Sequence, residues 1–151
     1  MNKKHLIVFS VALLVAAIDQ FTKFLIRKNF QLNESIPIIK NIFHFTYVTN
    51  TGSAFGLFKN LNWFFMLFSI VVIIAIFYYL RKKIYEKEKF LQLAVGLLLG
   101  GTIGNMIDRI LYGAVTDFLD FRVWPVFNVA DSAVTISVII LIILSSKIKD
   151  F

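Results

Sequence analysis

The sequence predicts an all-α membrane protein: four transmembrane helices with a small extracytoplasmic region of β-sheet and loop. Three observations predict it. Of 151 residues, 58% are hydrophobic and 17% charged, where an ordinary globular domain is roughly half apolar and about a quarter charged. Four apolar runs, at about 6–26, 62–80, 90–112 and 129–146, reach the ~20 residues that a bilayer core requires. Basic residues cluster in the short segments beside these runs: Lys3 and Lys4, then Arg81, Lys82, Lys83, Lys87 and Lys89, then Lys147 and Lys149. By the positive-inside rule both termini are expected in the cytoplasm, with segments 27–61 and 113–128 outside. A chain of this length is expected to form a single integral membrane domain, residues 1–151.

Composition also excludes. In a membrane protein the placement of the net charge of +7 matters more than its sum, so no nucleic-acid partner is expected. The chain has no cysteine and two histidines, His5 and His44, far apart in sequence. Disulfides, a thiol nucleophile and Cys-based metal sites are excluded. No H-E-x-x-H occurs, so zinc proteolysis is not expected. Neither a metal nor a cofactor is expected.

The first run has a basic start and small residues at Val15-Ala16-Ala17, as a cleaved signal peptide would. Its apolar pattern continues through Phe21, Phe24, Leu25 and Ile26, longer than a typical signal core, so a retained helix is expected. Asp19 and Lys23 stand four apart on one face of it. They read either as an internal ion pair that lets the helix insert or as part of a site. In the outer segment, Phe43, Phe45 and Tyr47 alternate with His44, Thr46 and Val48. That period of two predicts a strand, followed by a turn at Asn50-Thr51-Gly52; a plain amphipathic loop is the alternative. Phe43, Phe45, Phe55 and Phe58 offer an apolar surface there.

Past Asn62 at its start, the second run is apolar except for Ser69, which lies amid Phe and Ile. In the third, Gly96, Gly100 and Gly104 recur every four residues, a spacing that lets another helix approach closely. Asn105 and Arg109 share a face of this helix. Asp108 and Arg109 are expected to pair locally or to reach toward lipid headgroups. Gly113 supplies a stop, after which Val115-Thr116-Asp117-Phe118 can return to the membrane surface. The fourth run opens with Asn128 and Asp131. A carboxylate deep in lipid costs roughly 2.5–3.5 kcal/mol and marks a functional site by default.

Depth links these groups. Asp19 is 15 residues beyond Lys4, Asn105 is 15 beyond Phe90, and Asp131 is 15 before Ser146. At 1.5 Å per residue each lies roughly 22 Å from the inner boundary, in the outer leaflet of a ~30 Å core. Runs 1, 3 and 4 are therefore expected to surround a site, with run 2 in support. Asp117 can meet Asp131 from the other end of the same short loop. Asp120 is its rival, and spacing alone does not choose between them.

Two close carboxylates cannot easily both ionise, so such a pair supplies an acid and a base at one pH. The base activates water and the acid protonates the carbonyl oxygen or the leaving amine. That is peptide hydrolysis without Ser, Cys, His or metal. A small proton-coupled transporter would use the same groups. It would also need a path from the cytoplasmic side, where runs 1, 2 and 4 carry only apolar and small residues. A non-catalytic assembly subunit would tolerate Asp117→Asn. No spacing supports a Ser–Lys peptidase built on Ser132 or Ser53 with Lys23 or Lys59.

Five segments, in order, cover the chain from Asp19 to Ser132. They are Asp19-Gln20-x-x-Lys23, Tyr47-Val48-Thr49-Asn50-Thr51-Gly52-Ser53-Ala54-Phe55, Gly100-Gly101-x-x-Gly104-Asn105-x-x-Asp108-Arg109, Val115-x-Asp117-Phe118 and Phe127-Asn128-x-Ala130-Asp131-Ser132. This set resembles the motifs of bacterial lipoprotein signal peptidase, signal peptidase II. The resemblance implies an intramembrane aspartic endopeptidase of the bacterial cytoplasmic membrane, its site toward the outer leaflet. It implies a catalytic pair at Asp117 and Asp131, not Asp120. Supporting or substrate-binding positions would be Asp19, Lys23, Asn50, Gly52, Ala54, Asn105, Asp108, Arg109, Asn128 and Ala130. The implied substrate is a diacylated prolipoprotein, cut just before its lipidated cysteine. Membrane lipid is the other expected partner, and a monomer the expected state.

Overall fold

The computed structural model describes residues 5–52, 61–81 and 89–148. The calls on Lys3, Lys4, Lys82, Lys83, Lys87 and Lys149, and on Ser53, Ala54, Phe55, Phe58 and Lys59, lie outside the described residues. Among those described, four helices are long and apolar enough to cross a membrane. They are α1 (Leu6–Asn29), α2 (Asn62–Leu80), α3 (Lys89–Tyr112) and α4 (Val129–Ile148); three strands, β1 (Ser35–Ile39), β2 (Phe43–Asn50) and β3 (Val115–Asp120), complete the order α1-β1-β2-α2-α3-β3-α4.

α1 runs three residues past its expected end. Arg27 and Lys28 occupy its last turn, where cations suit the negative end of the helix, and Asn29 Nδ2 donates back to Leu25 O at 2.7 Å. α3 is the central helix: 50% buried, against 17–22% for the other three. Its glycines explain this. A Cβ on Gly100 would lie 2.6 Å from the Ala12 carbonyl oxygen of α1, and one on Gly101 would lie 2.5 Å from the Ala130 carbonyl oxygen of α4. Only hydrogen leaves room for both neighbours. Below the site, Val8, Ala12, Ile76, Leu80, Val95 and Leu99 form an apolar core between α1, α2 and α3.

The segments between α1 and α2 and between α3 and α4 join into one antiparallel sheet of order β1-β2-β3. The strand expected at Phe43 is there and continues to Asn50. β1 was not expected, and its Pro37 is unusual in a strand. It is tolerated on the sheet's edge, where no further strand needs its N–H. β3 corrects the reading of 115–120 as loop. Five of its six residues are buried, so it shows no apolar–polar alternation. It starts after Gly113, whose φ of +70° makes the turn out of α3.

Candidate active site

The site is organised by the first turn of α4. Asn128 Oδ1 accepts the Asp131 N–H at 2.9 Å, and Asp131 Oδ2 accepts the Asn128 N–H at 3.2 Å. This reciprocal capping box satisfies two donors that a helix start would otherwise orphan. The remaining polar atoms of both residues face the neighbouring elements. Asn105 Nδ2 of α3 donates to Asp131 Oδ1 at 2.7 Å. Asn128 Nδ2 donates to Asp117 Oδ1 of β3 at 2.7 Å and to Asn105 Oδ1 at 3.1 Å.

Asp117 is 1% exposed. Its second oxygen accepts from Asn50 Nδ2 of β2 at 3.1 Å. The Gly52 N–H donates to Asn50 Oδ1 at 2.9 Å, which turns the amide so that its NH2 faces the carboxylate. Burial, and then the charge of Asp131, push the Asp117 carboxyl up to about 7, against the hydrogen bonds from Asn50 and Asn128 and the charge of Lys23. Asp117 and Asp131 share no direct hydrogen bond; Asn128 bridges them.

Both carboxylates border a cavity of about 790 Å³, whose wall also holds Phe65 and Phe68 of α2, Asn105 of α3 and Val134 of α4. This corrects the expected arrangement of helices. α1 contributes nothing to the wall and α2 contributes four residues, Ser69 and Val72 being the others. α1 fits closely into the glycine face of α3, whereas the bulky α2 packs on α3 and makes no substantial contact with α4. The gap between α2 and α4 is the cavity.

The α1 groups stand behind the site. Lys23 Nζ lies 2.8 Å from Asp19 Oδ2 and donates to Asn105 Oδ1 at 2.9 Å, with Asp19 and Lys23 fully buried. The pair is thus an interhelical network rather than a device internal to α1. Asp19 Oδ1 accepts the Ala130 N–H at 2.9 Å, so α1 also caps α4. Ala130 is 0% exposed, and a Cβ on Gly104 would already approach its side chain to 3.3 Å; nothing larger fits. Lys23 is committed to Asp19 and Asn105, and Ser132 Oγ donates to Asn128 O. No Ser–Lys pair forms between them.

Asp108 and Arg109 do not pair with each other, as one reading expected. They are successive residues on a helix and face apart. Asp108 is fully buried, 3.3 Å from Arg27 and 3.7 Å from Lys23, and so does not point out to the surface. Arg109 borders the cavity, its guanidinium 5.3 Å from the centre of the Phe65 ring. Asp120 is elsewhere. It accepts from Thr46 Oγ1 at 2.7 Å and pairs with Arg122 at 3.0 Å. Burial works against its ionisation, but those hydrogen bonds outweigh it and hold its carboxyl below the usual range. Gln20, Arg27 and Thr116 went unread as site residues. Gln20 Nε2 donates to Asp19, Asp108 and the Gly104 carbonyl; its place on the Asp19–Lys23 face was the available signal.

Residues 11–147 match the family described as Signal peptidase (SPase) II. The chain belongs to that family. It is 49% identical over 132 residues to the lipoprotein signal peptidase of Moorella thermoacetica, covering 87% of each chain. It is 45% identical over 138 residues to that of Halothermothrix orenii, covering 90% of this chain and 92% of the other. Two solved bacterial membrane enzymes share the fold at 35% identity. Their TM-scores are 0.87 and 0.82, over 93% and 91% of this chain and 87% and 90% of theirs. The chain is a multi-pass membrane protease of the signal peptidase II family.

Proposed function

We propose that this chain is an aspartic endopeptidase that removes the signal peptide from diacylated prolipoproteins, cutting just before the lipidated cysteine. The names of the relatives support the substrate class. The observation that carries the aspartic reading is the meeting of Asp117 and Asp131 on one cavity, tied to a single residue, Asn128.

The pair holds one proton, because a second ionisation beside the first, out of water, is costly. The ionised member takes a proton from water as the water oxygen bonds to the scissile carbonyl carbon. The protonated member gives its proton to the carbonyl oxygen. Collapse reverses the proton flow. One hydroxyl proton returns to the pair as the C=O reforms, the other member protonates the leaving nitrogen, and the C–N bond breaks. The pair ends with one proton, as it began. Asn50, Asn105 and Asn128 hold the carboxylates in place, Gly52 and Ala130 hold the holders, and Asp19, Lys23, Asp108 and Arg109 support them; Ala54 is assigned with this group by resemblance.

The same reading places both termini in the cytoplasm of a bacterium, with the site toward the outer leaflet of its cytoplasmic membrane. The lysine distribution supports this, and the apolar cavity suits a substrate whose acyl chains stay in that leaflet. The protein acts as a single domain and a monomer among membrane lipids. Incubation of the purified protein with a diacylated prolipoprotein, beside the same substrate without lipid, tests the proposal. Cleavage of the first alone is expected; equal cleavage of both, or of neither, contradicts it.

A further inference from the structure

On the side of β3 away from the cavity, Arg27 in the last turn of α1 donates from Nη1 to Thr116 Oγ1 at 2.9 Å. The same nitrogen lies 3.3 Å from each oxygen of Asp108. The guanidinium lies 4.4 Å from the centre of the Tyr112 ring, so it is held electrostatically on a second side. Its side chain is 17% exposed, that of Asp108 0%. Asp108 Oδ2 also accepts the Thr116 N–H at 2.8 Å, and the Thr116 carbonyl accepts from Asn128 Nδ2 at 3.3 Å. Thr116 is therefore bound at its nitrogen, its hydroxyl and its carbonyl, from α3, from α1 and from the residue that caps α4.

Successive side chains of a strand point to opposite faces. A hold on Thr116 from behind therefore fixes Asp117, its neighbour, on the cavity side. Arg27, Asp108 and Thr116 are all absent from the cavity wall, so none of them is placed to touch substrate. The geometry points to Arg27 as a positioning residue, which with Thr116 forms a clamp that sets Asp117 against Asp131. The inference rests on the reading of Asp117 as one of the catalytic pair.

A displacement of about 1 Å at a reacting group can cost on the order of 10²-fold in rate, and the clamp acts on position alone. Its loss should lower kcat and leave KM nearly unchanged. Thr116→Val keeps the shape and deletes the hydroxyl; Arg27→Met keeps the stem and deletes the fork. Arg27→Lys keeps a charge beside Asp108 but lacks the planar fork.

The test is cleavage kinetics on a diacylated substrate with purified variants whose folding is checked by thermal unfolding. Thr116→Val is expected to lose about 10-fold in kcat and Arg27→Met about 30-fold or more, each with KM within about twofold. Arg27→Lys should recover part of the loss, and Arg27→Met with Thr116→Val should be no slower than Arg27→Met alone. Thr116→Val decides the matter if Arg27→Met does not fold. Wild-type kcat in the folded variants, losses confined to KM, or additive losses would overturn the clamp. Asp117→Asn in the same assay separates the two levels. If it is dead and the clamp variants keep wild-type kcat, only the clamp is wrong; if it is active, the reading of Asp117 is wrong as well.

Discussion

Asn50 contributes to the proposed chemistry without transferring a proton. Its NH2 favours the ionised form of Asp117, whose carboxyl stands at about 7. Below that pH the pair keeps its proton; above it the proton leaves and the acid is lost. The rate should therefore fall on the alkaline side through about pH 7. Asn50→Ala removes a hydrogen bond to the charged form, so the proton is held longer and the alkaline limb moves to higher pH. General acid–base action contributes roughly 10²–10⁴-fold, so Asn50→Ala should keep more activity than Asp117→Ala. A pH–rate profile of the variant checks both expectations. Polar groups in apolar surroundings made Asp131 and Asn105 visible in the sequence, whereas only the family resemblance chose Asp117 over Asp120. The capping box of Asn128 and Asp131 went unread in the sequence, although their spacing of three carried it. Arg27 went unread too, because a cation just past an apolar run reads as an interfacial anchor.

The elements were legible where the physics was periodic. All four helices stand where the apolar runs lie, since length and hydropathy decide them. β1 and β3 were hidden, one by its proline and one by burial on both faces. The glycines of α3 were legible as a packing face, and they carry a prediction. Gly100→Ala would set a Cβ 2.6 Å from the Ala12 carbonyl oxygen, which is backbone and cannot turn aside. α1 must then move off α3, at a cost of about 1–3 kcal/mol. Thermal unfolding in detergent should show the loss, with activity falling alongside because Asp19 and Lys23 travel with α1.

For the whole molecule, the sequence placed polar groups at one depth but not the helices around them. Depth follows from counting residues along each helix. Neighbourhood follows from the shape of the facing surfaces, and the glycine spacing said only that some helix would approach α3 closely, not that α1 would be the one and so be excluded from the cavity. Orientation is a prediction at this scale. With Asn33→Cys or Tyr85→Cys introduced into the cysteine-free chain, an impermeant maleimide should label only position 33 in whole cells. Equal labelling would contradict the assignment of sides.

The proposed pair itself is tested most directly by the rate of cleavage of a diacylated prolipoprotein by Asp117→Asn, Asp131→Asn and Asp120→Asn proteins, each purified and folded. Asn keeps the size and most of the hydrogen bonding and removes the titrating group. Asp117→Asn and Asp131→Asn are expected to abolish cleavage, whereas Asp120→Asn, whose carboxylate is bound to Thr46 and Arg122 away from the cavity, retains it. EDTA should leave the wild-type rate unchanged. Near wild-type turnover by Asp117→Asn, or abolition of activity by EDTA, would contradict hydrolysis by two aspartates.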